Sequence, residues 1–219
     1  MQAKLDPIEI IDAHLDQFFE EDEVIVFHEI NTPEDENHID IYWIRASKDV
    51  MDFAILLTVG MSRVEQNLEG DYDAPNFMEV MMLVPWDWNF SDYHWTDDEY
   101  WPIHHLKTIA KIPSDQNTWY GYGHTISWKS DSSLISGTGF NGSILLNTRI
   151  LPDEFINIKV NDQKSIHIFS AIPVYPEELD FKIKYSADEL IDKFNRYQID
   201  EVVDINRKNT CKKRWWQWR

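Results

Sequence analysis

Apolar residues near the start of the chain recur at helical spacing. Ile8, Ile11, Leu15 and Phe18 share one face, Asp6 is placed to cap the helix, Pro7 suits its first position, and Glu9 completes a capping-box-like arrangement. The acidic residues Glu20 to Glu23 end that helix. Four strand-like runs follow, at 24–30, 39–46, 53–60 and 77–84. In the second, Ile39, Ile41 and Trp43 alternate with Asp40, Tyr42 and Ile44, the period of a strand with one well-buried face. A polar loop, 62–76, joins the third run to the fourth.

Beyond an aromatic, acidic stretch at 85–100, Pro102 is placed to open a helix with Ile103, Leu106 and Ala110 on one face. That helix is expected to stop before Pro113. Residues 114–142 are rich in Ser, Thr, Gly and Asn and read mostly as loop, with a short strand near 124–128. Later strands are expected at 143–147, 155–160 and 166–172. Pro176 starts a short helix through about residue 185. Ser186 and Glu189 form a capping box for a last helix with Leu190, Ile191 and Phe194 on its apolar face, and 202–205 reads as a final strand. No internal repeat and no dividing linker is visible.

Composition narrows the class. The chain has 219 residues, enough for one domain with a sizeable core, and 43% hydrophobic with 14% aromatic content is too apolar for disorder. A lone cysteine, Cys211, excludes an internal disulfide framework and any Cys-based zinc site. The N-terminus shows no secretory signal, and no apolar run approaches the roughly 20 residues of a spanning helix, so a soluble, cytoplasmic protein is expected. Acidic residues number 39 against 20 basic, for a net charge of −19. The segment 207–219 carries Arg207, Lys208, Lys212, Lys213, Arg214 and Arg219 and no acid, so the body, 1–206, is more acidic still. Such a body repels phosphate backbones, which disfavours nucleic acid as a partner, and attracts basic proteins.

Catalytic and cofactor motifs fail on context. Gly137-Thr-Gly139-Phe-Asn-Gly142 matches the dinucleotide fingerprint in letters, but a polar loop precedes it and a strand-like run follows, so no helix N-terminus is set to receive a pyrophosphate. His94, His104, His105 and His124 lie close in sequence, yet adjacent His104 and His105 point about 100° apart on a helix, so no metal site is expected. No G-x-S-x-G or other activated nucleophile occurs. The reading is a protein without enzymatic activity, cofactor or metal. The Trp- and Lys/Arg-rich end, 211–219, could stack on bases or lie at a membrane interface. Folding back on the acidic body is the favoured reading.

Ile39-Asp-Ile-Tyr-Trp-Ile44, Thr58-Val-Gly-Met-Ser62 and Trp101-Pro-Ile-His-His-Leu-Lys107 occur in that order. Thr118-Trp-Tyr-Gly-Tyr-Gly-His-Thr-Ile126, Ile172-Pro-Val-Tyr-Pro-Glu-Glu-Leu179 and Val203-Asp-Ile-Asn-Arg207 follow. This ordered series resembles the Suppressor of fused domain, particularly its small bacterial members, from about residue 24 to 211. The resemblance implies an α/β (α+β) fold, a single-domain mixed β-sheet packed by helices over 1–206, with 207–219 as a basic, Trp-rich tail. Animal members grip an extended peptide of a transcription factor. Bacterial members are associated with toxin systems as immunity proteins. The function so implied is an immunity protein or antitoxin that binds a basic partner, a toxin such as a nuclease. The alternative is a regulatory module that sequesters another protein.

Inside the matching motifs, Trp101, Pro102, Trp119, Gly123, His124 and Asp204 carry structural or functional roles. Trp101 and Trp119 are expected to fill the core, and His124 to hydrogen-bond backbone in a turn. Animal relatives use the region of loop 62–76 to grip their peptide. Here that loop offers Glu65, Glu69, Asp71 and Asp73 beside Tyr72, and Trp86, Asp87 and Trp88 are expected to extend the patch on the same edge.

Overall fold

The computed structural model describes residues 6–28, 38–68, 70, 74–90, 97–128, 134–135 and 137–212, with backbone alone for 97 and 98. Helix α1 (Pro7–Leu15) starts as its sequence dictates: Asp6 Oδ1 accepts the Ile8 N–H at 3.1 Å and Pro7 takes the first position. A single 3₁₀ turn, Glu21–Glu23, leads into strand β1 (Val24–Phe27). Strands β2 (Asp40–Ile44), β3 (Phe53–Val59) and β4 (Phe77–Pro85) continue an antiparallel meander. Positions 29 and 30 of the first predicted strand lie outside the described residues.

Strand β8 (Ser165–Val174) pairs parallel to β4, Phe77 opposite Ile166, and so makes the sheet mixed. Its other edge is shared by two antiparallel strands. The first, β7 (Asn157–Lys159), faces Ser165 to His167, and the second, β6 (Gly142–Leu146), faces Ser170 to Val174. Strand β5 (Thr125–Ser127) closes that side, giving the order β1-β2-β3-β4-β8-β6-β5 with β7 beside β8. Gly142, last of the dinucleotide-like glycines, opens β6 rather than a helix.

Helices cover both faces. Helix α2 (Asp97–Asp115) packs Trp101, Ile103, Leu106 and Ile109 on Ile39, Ile41, Trp43 and Val80. On the other face α1 and the short α3 (Asp153–Ile156) bury Ile44, Leu57, Leu83 and Ile168. Helices α4 (Pro176–Lys184) and α5 (Ala187–Tyr197) bury Ile144, Leu146, Ile172 and Val174. Strand β2 is therefore buried at every position, where its alternation predicted one buried face.

Three further elements depart from the sequence reading. Helix α2 begins at Asp97, before Pro102, and runs through Pro113. A proline inside a helix costs about 3 kcal/mol. Four large side chains taken out of water, at roughly 1.5–3 kcal/mol each, match or exceed the cost of the two prolines. The run 155–160 divides into the end of α3 and strand β7, and 202–205 gives only a parallel bridge of Val202 to Leu83.

Two buried carboxylates pin loops to this frame. Glu79, wholly buried within β4, accepts from Thr58 Oγ1 (2.6 Å), Ser62 Oγ (2.7 Å) and the N–H groups of Gly60, Met61 and Ser62. Burial pushes its carboxyl above the ordinary range, and the donors oppose that shift. Gly60 has φ +126°, and a Cβ there would stand 2.2 Å from the His38 carbonyl oxygen, so only glycine makes this turn. Glu178, at the start of α4, accepts both terminal nitrogens of Arg207 and the N–H and hydroxyl of Thr210. Arg207 is caged over the rings of Phe140, Tyr175 and Phe194, and donates to the Pro173 carbonyl at 2.8 Å. The first residues of the basic C-terminal segment thus pack on the body, whereas 213–219 lie outside the described residues.

Candidate functional site

Where β6 ends at Leu146 and β7 begins at Asn157, the edge of β8 is left without a ladder partner at 168–169. A cleft of about 700 Å³ opens there. His167 braces the gap: Nδ1 lies 2.8 Å from Asn157 Oδ1 and Nε2 2.9 Å from Asn147 Oδ1, with the ring against Phe169. Burial lowers its pKa and so favours the neutral ring, whose single N–H donates to one of these two amide oxygens; the other nitrogen gains a donor when its asparagine turns the NH₂ toward it.

The second wall comes from α5 and the turn after it. Glu201, 3% exposed, accepts from Thr148 Oγ1 (2.7 Å) and from the Arg149 N–H (2.8 Å), and Arg149 reaches Asn195 Oδ1 at 2.7 Å. That leaves the Arg149 guanidinium largely exposed at the rim. Tyr122, half exposed, and Pro75 complete the lining. Burial and the charge of Asp188 raise the Tyr122 pKa, with Arg149 opposing. An arginine, a phenol and three asparagine amides thus stand around the apolar walls of the cleft.

The predicted contact loop ends at this cleft. Its stem is closed by Gln66, whose N–H donates to the Asn76 carbonyl at 2.8 Å. The Gln66 amide donates to the Pro75 and Tyr120 carbonyls and accepts the Tyr120 N–H at 2.7 Å. Glu65 is exposed and accepts from Asn76 Nδ2 at 2.6 Å. Glu69, Asp71, Tyr72 and Asp73 lie outside the described residues, as does His94.

Trp86, Asp87 and Trp88 lie away from this stem. They follow the far end of β4, about 30 Å along the strand from Asn76 at some 3.3 Å per residue. The Trp86 indole donates to the Ala46 carbonyl at 2.8 Å, and Arg45 lies between the rings of Trp43 and Trp86. Trp88 donates to the Glu99 carbonyl and packs edge-on against Trp101, while Asp87 is exposed.

Within the resembling motifs, Trp101 is 2% exposed and Pro102 is buried beside it. Trp119 is not a core ring. It is half-buried and lies 4.5 Å from the His124 ring. His124 does bond backbone, through the Trp119 peptide. Burial first, then Lys182, lowers its pKa, against that hydrogen bond. Gly123 adopts φ +77° with Ala187 close against it. Asp204 is exposed and accepts the Asn206 N–H at 2.8 Å. His104 and His105 diverge as helical neighbours must, one exposed and the other fully buried against Ser143 Oγ at 2.8 Å. Among the described residues no group of three His, Cys, Asp or Glu is placed to hold a metal ion, and no helix is long and apolar enough to cross a membrane.

The sequence profile described as Suppressor of fused protein (SUFU) matches residues 35–208. The chain belongs to the Suppressor of fused family. Solved structures agree on the fold. A SUFU homologue from Neisseria gonorrhoeae superposes with a TM-score of 0.64 at 16% identity, over 95% of this chain and 98% of that one. A chain of the Sufu–Fu complex superposes with a TM-score of 0.62 at 12% identity, over 94% and 92%. Drosophila Suppressor of Fused matches with a TM-score of 0.50 at 12% identity, over 85% of this chain and 42% of its own length. No curated relative matches the chain in sequence. Sequence reasoning reached the family but passed over Gln66, His167, Glu201 and the Glu178–Arg207 pair. Only Glu79, a lone acid inside the apolar run Phe77-Met-Glu-Val-Met-Met, left a local signal.

Proposed function

We propose that this Suppressor of fused domain is a non-catalytic binding module that holds a basic protein, and specifically an immunity protein that neutralises a bacterial toxin by direct contact in the cytoplasm. The observation that carries this reading is the clamped loop stem. Gln66 fixes Pro75 at the mouth of the cleft, and the residues between include Glu69, Asp71, Tyr72 and Asp73, an aromatic anchor among carboxylates. On a chain of net charge −19 such a loop suits a basic partner, with association hastened by charge. Sequestration of a regulatory protein is the second reading, favoured by the structural likeness to the Sufu–Fu complex.

Co-expression with the product of the adjacent gene tests the first reading. Rescue of growth with co-purification of a toxic neighbour supports immunity. A stable complex with a non-toxic regulator supports sequestration instead.

A further inference from the structure

A second groove, of about 600 Å³, opens between the end of α1, the β2–β3 connection and the segment before α3. Its floor is aromatic, with Phe19, Phe53 and Phe155. At its edges Phe18, Val50 and Ile150 stand 38%, 80% and 42% exposed, a contiguous apolar surface of the kind that marks an interaction site. Every ionisable residue lining it is an acid: Asp16, Glu20 and Glu23. Among the described residues, no lysine, arginine or histidine lines it. Trp86 sits next to it, since the Ala46 carbonyl that accepts its indole N–H also borders the groove.

This chemistry selects an occupant. A purely apolar segment would bury the phenylalanines but desolvate three carboxylates with no counter-charge, since Glu20 and Glu23 each hold only the other's backbone N–H, and that is costly. A second copy of this chain would bring acid against acid. A segment with large apolar side chains on one face and Lys or Arg beside them satisfies both parts, in the manner of an amphipathic helix laid in a groove.

We propose that this groove docks a basic amphipathic segment of the partner protein. The inference rests on the reading of the chain as a binder of a basic protein, and it names a surface separate from the loop at residues 62–76.

The test titrates the full chain with a synthetic amphipathic Leu/Lys peptide, with Leu/Glu and Ser/Lys peptides as controls, by fluorescence anisotropy. Two double variants break the groove, Val50→Asp with Ile150→Asp, and Asp16→Lys with Glu20→Lys. All four positions are exposed, so the fold is retained, as circular dichroism checks. Ile183→Asp, at a 73% exposed position on α4, is the distant control. The expected result is binding of the Leu/Lys peptide alone, weakened about tenfold or more by either double variant and unchanged by the control.

Equal binding by the groove variants, or of the Leu/Glu peptide, overturns the proposal. So does a wild-type dimer that Val50→Asp dissociates, which gives the groove to a second copy. Binding of a peptide of residues 212–219 without binding of the Leu/Lys peptide gives it to the chain's own basic end, and likewise overturns the proposal. The same variants enter the growth-rescue assay. Rescue and co-purification that survive a broken groove remove the groove as the docking surface and leave the immunity reading standing. A wild-type chain that neither rescues nor co-purifies any partner removes that reading, and the peptide titration still decides the groove.

Discussion

The imidazole of His105 is fully buried on α2, its pKa pushed down to about 3 by loss of water, with Nε2 on Ser143 Oγ and Nδ1 without a partner. The unfolded chain takes up this proton near pH 6.5, whereas the fold refuses it until about pH 3. Stability from this group is therefore complete above pH 6.5 and is lost as pH falls through that window, at about 1.4 kcal/mol per unit. His14, His124 and His167 are shifted in the same direction by burial and add to the acid limb. Urea unfolding of His105→Gln between pH 7 and pH 4 is expected to show a flatter loss than wild type; an equal slope would mean that the ring is protonated in the fold. Glu79 is the opposite kind of residue, an acid whose every described contact is a donor. Glu79→Gln turns an NH₂ toward backbone N–H groups that cannot accept. A loss of about 3–5 kcal/mol in denaturant unfolding is expected, with Gly60 to Ser62 exchanging amide protons fastest.

The Glu178–Arg207 contact joins two elements, α4 and the segment after residue 201, and its strength lies in being dry. The Arg207 side chain is 7% exposed and that of Glu178 wholly buried. Arg207→Ala strips the carboxylate of its counter-charge and opens the aromatic cage, so a loss of about 3–5 kcal/mol is expected. Arg207→Lys, which keeps a positive charge beside the carboxylate, should lose less. Equal losses in the two variants would show that the guanidinium's own contacts, not the orphaned charge, carry the energy. This contact marks the limit of what the sequence discloses. Helices α1 and α5 are legible because their signals are local: Asp6 and Ser186 cap them, and apolar residues line one side. The start of α2 is not, because Pro102 argues locally against residues 97–101 being helical, and only the burial of Trp101 and its neighbours against the sheet overrides it. The site divides in the same way. The acidic, tyrosine-bearing loop can be read from its letters, but the cleft it borders depends on His167, Asn147 and Asn157 meeting across two strand ends. The bonded atoms lie 10 and 20 residues apart in the chain, and no spacing rule relates them.

At the scale of the whole molecule, the charge has two separable consequences for binding a basic partner, speed and grip. Speed depends on the summed field, which counter-ions damp over a Debye length of about 10 Å at 0.1 M salt and about 3 Å at 1 M. The rate of association with the partner should therefore fall steeply across that range, while dissociation changes little. Stopped-flow mixing at several salt concentrations measures both. A flat association rate would show that the −19 charge serves solubility and not encounter. Grip depends on a few desolvated anchors, and the proposed one is Tyr72 in the loop. Replacing Tyr72 with alanine and neutralising Asp71 and Asp73 removes the aromatic and two of its flanking carboxylates. If Tyr72 is the anchor, dissociation quickens by a factor worth at least about 2 kcal/mol. Stability stays within about 0.5 kcal/mol as long as these side chains make no contacts within the fold. The same triple variant should slow association only slightly, because two charges are a small part of the field. The opposite division, slower encounter with unchanged dissociation, would place the anchor elsewhere on the surface and leave the loop a purely electrostatic role.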